Sequence, residues 1–310
     1  MKGGRLHRSA LFVPGHKPDW VPKAIKAGAD MLILDLEDSV PVPDKLHARG
    51  LVRESLEALS AAGQDRSVRI NGFATGLTLD DLEAIVGPAL QAVRLPKVES
   101  ADDLRELDSL LTHLEKRAGL EPGSVATPLD LETAGAMRDA CDILRASPRA
   151  TSMMLGCGPG GDAARAVGYQ WTKDGTETHY LRSRAVLDAR AAGVEYPMVT
   201  SWWDIRDLDG LRADAALNRR FGFRGMVVMH PTHVPIVNET FTPNEAELAH
   251  ARGLIAAMEE AERRGSAAVT YEGDMVDYAM VTTARELLEL AASIDARAGE
   301  AAGGEPGDGR

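Results

Sequence analysis

Cysteine is nearly missing from this chain. Cys141 and Cys157 are the only two in 310 residues, too few for a disulfide framework or a thiolate metal cage. No run of ~18 apolar residues occurs, so no membrane-spanning helix is expected. The N-terminal residues also lack the apolar core of a secretory signal. Basic side chains are outnumbered, 35 against 47 acidic, which leaves a net charge of −12. That balance argues against a nucleic-acid surface. These absences together point to a cytoplasmic protein whose partners are small molecules. An anionic ligand is still compatible with the charge, through a few local Arg and Lys residues.

What is present suffices for a sizeable core, since 44% of the residues are hydrophobic. Short β-branched runs alternate with longer amphipathic stretches. Eight runs read as strands: Ala10–Pro14, Met31–Asp35, Ser67–Asn71, Ala92–Pro96, Ser124–Leu131, Thr151–Leu155, Tyr196–Thr200 and Gly225–His230. Helix signals separate most of them. Ser100 with Asp103 forms a capping box ahead of an apolar face of Leu104, Leu107, Leu111 and Leu114. Thr78 with Asp81 opens a second helix, and Thr242, Pro243 and Glu245 cap a third that runs to about Arg264. Strand–helix alternation implies parallel strands joined by right-handed crossovers. Eight such repeats close most simply as a (β/α)8 TIM barrel. The rival, an open doubly wound sheet, normally shows a glycine fingerprint after its first strand, whereas this strand ends Val13-Pro14-Gly15-His16.

The barrel is expected over residues 1–240. Residues 241–296 are too many for one closing helix and read as a C-terminal extension. In it, two helices flank an Ala267–Tyr271 run, a Glu272-Gly273 turn and Met275–Asp277, and the second helix ends near Ile294. Residues 297–310, rich in Gly, Ala and acid, read as a disordered tail.

Barrel enzymes place their chemistry at the C-terminal ends of the strands. Here those ends carry Asp35, Glu37 and Asp38, then Arg69, Lys97, Glu132, Asp162 and His230. So many charges on one rim are not explained by packing, because unpaired buried charge is strongly unfavourable. Glu132 and Asp162 come from neighbouring strands and make a hard-oxygen pair. Such a pair suits Mg2+, which keeps several waters and takes one or two carboxylates plus substrate oxygens. Arg69 offers a planar fork for a substrate carboxylate. Other readings stand beside these. Glu132 and Asp162 could be helix-start acids, Arg69 could pair with the strand-two acids, and Lys97 could be a rim salt bridge. His230 could be a packing histidine, and Trp202 and Trp203 core residues. Gly156–Gly161 could cradle a phosphate or simply supply a turn with positive φ.

The residues then resemble a family. Arg8–Gly15, Ile33–Val40 with Lys45 and Ala48-Arg49, Val68–Asn71, Leu95–Glu99, Leu131–Ala134, Gly222–Pro243 and Gly273–Asp277 follow one another in the order of the citrate lyase β-subunit-like (HpcH/HpaI aldolase/citrate lyase) proteins. That group includes the malyl-CoA and citramalyl-CoA lyases. The resemblance spans about residues 5–295. It implies a barrel with a C-terminal helical lid, a homotrimer or homohexamer, and Mg2+ or Mn2+ held by Glu132 and Asp162. It implies Arg69 as the residue orienting the acyl end of the substrate. It also implies acid–base work by Asp277 on the lid, often over a neighbouring subunit's site. Arg8, Glu37, Asp38, Lys97 and Pro231 are the further substrate-binding candidates.

The implied activity is carbon–carbon lyase cleavage of a small hydroxyacyl-CoA, or the reverse condensation, with CoA as part of the substrate. A thioesterase on the same site is the nearest alternative, followed by an aldolase for a free 2-keto acid. A carrier-dependent subunit of a larger complex, or an inactive binding module, is the alternative from another class. The stretch before Asp162, Gly-Cys-Gly-Pro-Gly-Gly, is longer than the family's usual short turn.

Overall fold

Side chains of the first strands separate into two environments with a period of two. Ala10 and Phe12 of β1 (Ser9–Pro14) meet Met31 and Ile33 of β2 (Met31–Asp35) in one small cluster with Met154, Met198 and Val227. Leu11, Val13, Leu32 and Leu34 belong instead to the large outer core beneath the helices. This is the inside and outside of a barrel. The computed structural model describes residues 4–302, in two compact units divided after Phe241.

The first unit holds β1, β2, β3 (Asp65–Arg69), β4 (Val93–Arg94), β5 (Leu129–Leu131), β6 (Met153–Gly156), β7 (Met198–Thr200) and β8 (Gly225–Val228). All are parallel, in the order β4-β3-β2-β1-β8-β7-β6-β5. Two parallel bridges, Ala92↔Ala126 and Leu95↔Leu129, connect the ends of that order. The eight expected strands are therefore all present, in a nearly closed barrel flanked by helices. Expected Ser124–Leu131 is cut short because Pro128 has no N–H to give a ladder. Inside the barrel, Arg94 pairs with Asp130 where neither touches solvent.

Helix Ala101–Arg117 has the Ser100–Asp103 capping box and buries the four leucines. Two other helix starts differ from expectation. Thr78 lies within its helix, Thr78–Ile85, and its hydroxyl donates to the Asn71 carbonyl at 3.0 Å. Asp81 does not cap; it accepts from Asn71 N at 2.8 Å and Arg49 Nε at 2.7 Å and so ties down the end of β3.

In the second unit the helix Glu245–Arg263 starts at Asn244 rather than Thr242. Asn244 accepts from Glu247 N at 2.9 Å while Glu247 accepts from Asn244 N at 2.8 Å. Two helix-start N–H groups are satisfied reciprocally, which favours asparagine as the cap. β9 (Val269–Tyr271) and β10 (Asp274–Val276) form an antiparallel hairpin. Its turn residues, Glu272 and Gly273, both have positive φ, at 50° and 96°, as a two-residue hairpin of primed type requires. The closing helix runs Tyr278–Ala302, beyond the Ile294 expected. The rest of the expected tail, residues 303–310, lies outside the described residues. The unit has its own core of Leu254, Met258, Val276 and Val281. Among the described residues, no helix is long and apolar enough to cross a membrane.

Candidate active site

At the C-terminal ends of the strands the inward positions turn polar. β2 and β3 are registered so that Asp35 is the cross-strand partner of Arg69. Asp35 is buried and accepts two bonds from Arg69, Nε at 2.7 Å and Nη2 at 2.8 Å. It also accepts the backbone N–H groups of Glu37 and Ser39, each at 3.0 Å. Burial alone would raise the Asp35 carboxyl, but Arg69 outweighs it and holds the group below its ordinary value. Burial likewise opposes the Arg69 charge, and Asp35 again overrides it, so Arg69 is a permanent cation. The fork expected to clamp substrate is therefore engaged by Asp35. What Arg69 still offers is Nη1, 3.1 Å from Glu37 Oε2, over a cation–π contact with Phe12 at 4.7 Å.

Lys97 organises the acids. Its Nζ pairs with Glu37 and lies 3.5 Å from both Asp38 Oδ2 and Asp162 Oδ2. Its backbone N donates to Glu132 Oε2 at 3.2 Å. Lys97 holds φ at 54°, a left-handed conformation costing about 1–3 kcal/mol away from glycine and found where surrounding contacts over-determine it. Burial works against the ammonium, yet the carboxylates around it raise Lys97 to about 12. Glu132 is the least compensated group. Burial, then the nearby charge of Asp130, pushes its carboxyl up to about 7.

Asp162 opens the short helix Asp162–Val167 and pairs with Arg165 on its outer side. The glycine-rich segment leading to it follows β6. Gly160 has a φ of 64°, so one of these glycines does serve a turn. Gly158 and Gly161 have another reason to lack a side chain. A Cβ at Gly158 would lie 2.5 Å from the Trp203 indole nitrogen, and one at Gly161 would lie 3.4 Å from the ring. Glu132, Asp162, Arg69 and Asp38 line one cavity of about 470 Å³, together with Phe12, Met154, Trp203 and Met229.

A family model described as HpcH/HpaI aldolase/citrate lyase matches residues 8–231. This chain belongs to that family. Citrate lyase subunit beta of Leuconostoc mesenteroides subsp. cremoris is 34% identical, over 94% of this chain and 95% of its own length. A (3S)-malyl-CoA thioesterase of Cereibacter sphaeroides is 35% identical, over 93% and 96%. L-malyl-CoA/beta-methylmalyl-CoA lyase of the same species is 33% identical, over 94% and 96%. Among solved structures, the protein CitE from Mycobacterium tuberculosis, in complex with magnesium, acetoacetate and coenzyme A, aligns with a TM-score of 0.73. It shares 30% identity and covers 94% of this chain and 100% of that one.

The family's chemistry asks whether these residues suit a divalent cation. The described residues contain no group of three or more His, Cys, Asp or Glu arranged to hold a metal. A zinc-like cage is therefore not what this rim offers. Two carboxylates, with water and substrate oxygens completing the shell, do suit Mg2+. The raised Glu132 carboxyl is a buried anion short of positive charge, and a cation there would supply it.

Not every expected site residue is brought together. Arg8 precedes β1, at the other end of the barrel, roughly 15–20 Å along the strand from its rim. It is a structural residue, pairing with Asp30 through Nε at 2.9 Å and Nη2 at 2.8 Å. Pro231 begins a 3-10 turn past β8 and is exposed; the β8 side of the cavity is Met229. His230 bonds Thr232 Oγ1 at 2.7 Å and caps the same turn. Asp277, in the second unit, is exposed and caps the closing helix, accepting from Ala279 N at 3.0 Å and Met280 N at 3.1 Å. Cys157 is fully buried, and burial pushes its thiol up to about 12, so it is no nucleophile.

Sequence reasoning counts Asp35 among the rim acids without giving it a role, and reads Trp203 as a core residue. Strand parity was the available signal for Asp35, since it and Arg69 are both inward positions. Nothing in the local sequence separated Trp203 from its neighbour Trp202.

Proposed function

We propose that this enzyme is an Mg2+- or Mn2+-dependent carbon–carbon lyase that cleaves a small hydroxyacyl-CoA such as malyl-CoA or citramalyl-CoA, or runs the reverse condensation. The observation that carries this reading is that two carboxylates from neighbouring strand ends, Glu132 and Asp162, and a locked cation, Arg69, line one cavity. The relatives named for malyl-CoA chemistry and the CitE complex with magnesium and coenzyme A support it.

Glu132 and Asp162 would hold the metal, whose contribution is Lewis-acid polarisation of the substrate's hydroxyl or carbonyl oxygen. Lys97 places Glu132 through its backbone N–H and balances Glu37 and Asp38 on the rim. In cleavage, the bond between the hydroxyl-bearing carbon and the thioester α-carbon breaks. The hydroxyl carbon becomes the carbonyl of a keto acid, and the hydroxyl proton leaves to a base. The bonding pair passes to the α-carbon as an enolate, whose oxygen Arg69 Nη1 stabilises. Asp277 would deliver the proton that completes the acyl-CoA product, and remove it in condensation. As the family resemblance implies, Asp277 would act over the site of a neighbouring copy, in a homotrimer or homohexamer. A cytoplasmic location fits a CoA ester as substrate.

The test is a screen of malyl-CoA and citramalyl-CoA with Mg2+, reading free CoA and keto acid together. A lyase releases glyoxylate or pyruvate with no free CoA. Glu132→Gln is expected to lower turnover by roughly a thousandfold or more and to abolish Mg2+ binding by calorimetry. Unchanged Mg2+ affinity in that variant would remove Glu132 from the metal site. The 35% identity to a (3S)-malyl-CoA thioesterase favours one second reading, hydrolysis of the thioester after the same binding. Free CoA appearing with intact malate would establish it. An aldolase acting on a free 2-keto acid would show turnover without any thioester.

A further inference from the structure

Two adjacent tryptophans after β7 have opposite fates. Trp202 is buried at 3% exposure, donates its N–H to Asp207 O at 3.0 Å and meets Trp171 edge to face. Trp203 is 42% exposed and lines the active-site cavity. Its indole lies against Gly158 and Gly161, on the loop that ends in Asp162. Met229, the first residue after β8, is also 40% exposed and lines that cavity. The same cavity is lined by the charged Glu132, Asp162, Arg69 and Asp38 and by the apolar Phe12, Met154, Trp203 and Met229. Large apolar side chains left open in a ligand cavity mark a place where an apolar part of the ligand is covered.

Position decides which part of the ligand that is. The thioester arm must run out to solvent, but the keto-acid half must sit where Glu132 and Asp162 hold its oxygens. Gly161, under the Trp203 ring, is the residue immediately before Asp162. The ring therefore borders the keto-acid half. Glyoxylate has no side group, and pyruvate has one methyl, which leaves most of these apolar side chains uncovered.

We infer that Trp203 is a specificity-determining residue, and that within the hydroxyacyl-CoA class proposed above the preferred substrate is a homologue of malyl-CoA and citramalyl-CoA whose keto-acid half carries an apolar group larger than a methyl. The substrate class rests on the lyase reading above; the placement of Trp203 does not. Gly158 belongs to the same device, because a methyl there would push the indole off its seat.

The experiment measures calorimetric affinity of the full chain, with Mg2+ present, for glyoxylate, pyruvate, 2-oxobutanoate and 3-methyl-2-oxobutanoate. The same acids are assayed for condensation with acetyl-CoA. Wild type is expected to bind the branched acid at least roughly tenfold more tightly than glyoxylate, the discrimination one or two methylenes give in a fitted pocket. Trp203→Ala, and independently Gly158→Ala, should flatten that order, with the loss concentrated on the larger acids. Glyoxylate binding as tightly as the branched acid overturns the inference, as does an equal loss for all four acids in both variants. If the binding order stands and no acid condenses, the lyase reading fails while Trp203 keeps its role. If none of the acids binds, both fail.

Discussion

Asp35 accepts four hydrogen bonds, two from Arg69 and one each from the N–H groups of Glu37 and Ser39. It touches no proposed substrate atom, yet it fixes the cation that would meet the enolate and the turn that carries Glu37 and Asp38. Charge-assisted, bidentate pairs of this kind are the strong ones. An asparagine at this position keeps the shape but replaces one acceptor oxygen with a donor that faces the guanidinium. We expect Asp35→Asn to lower kcat/KM by roughly ten- to a hundredfold, the cost of misplacing a catalytic group by about an ångström. Mg2+ affinity should change far less, because Glu132 and Asp162 come from other strands. Steady-state kinetics alongside calorimetry separate the two, and a matching loss of metal binding would show that Asp35 acts on the whole rim instead.

At the scale of elements, short contacts between segments hold the helices in place behind the rim. The last turn of helix Ala101–Arg117 carries Glu115, which is buried and receives Arg149 Nη1 at 2.7 Å and Nη2 at 2.6 Å. Gly123 N and Val125 N each donate to the same carboxylate at 2.8 Å. Burial alone would raise this group, but Arg149 and the two N–H donors hold it down to about 2. A carboxyl depressed from an ordinary value near 4.5 contributes stability above that pH and loses it as pH falls toward 2. Glu115→Gln should therefore cost about 3–5 kcal/mol at neutral pH, as breaking a buried pair does. In urea titrations the gap from wild type should narrow between about pH 4.5 and pH 2. A gap that stays constant with pH would mean that the neutral amide fails for reasons of shape rather than charge.

For the whole molecule, the chain divides into a barrel and a smaller C-terminal unit with a separate core. The proposed proton-transfer group, Asp277, belongs to the second unit, and the proposed metal pair, Glu132 and Asp162, belongs to the first. If each site combines residues of two copies, inactive variants should rescue one another. Mixed after dissociation and reassembly, Asp277→Ala and Glu132→Ala chains are expected to recover up to about a quarter of wild-type activity, since in a ring of copies one site in four would hold both intact residues. Native mass spectrometry of the mixture would show whether the assembly is a trimer or a hexamer. Mixed assemblies without recovered activity would put Asp277 over its own chain's site or outside the chemistry.

Much of this architecture follows from local pattern. Eight β-branched runs separated by amphipathic segments are enough for a barrel, because each element must bury one apolar face and parallel neighbours leave few ways to do it. The Ser100 capping box, the Glu272-Gly273 turn and the acids and bases at the strand ends are equally local, so the sequence by itself determined them. What only the tertiary structure decided depends on partners distant in the chain. Arg69 is engaged by Asp35 because two strands are in register, and Arg8 lies at the wrong end of the barrel because it precedes its strand. The helix starts at Thr78 and Asn244 turn on which oxygen reaches which N–H. Trp202 and Trp203 are adjacent and identical in type, and only the packing of the loop after β6 buries one and opens the other onto the cavity. Side-chain role at such positions is set by contacts across the fold, and periodicity carries no information about those.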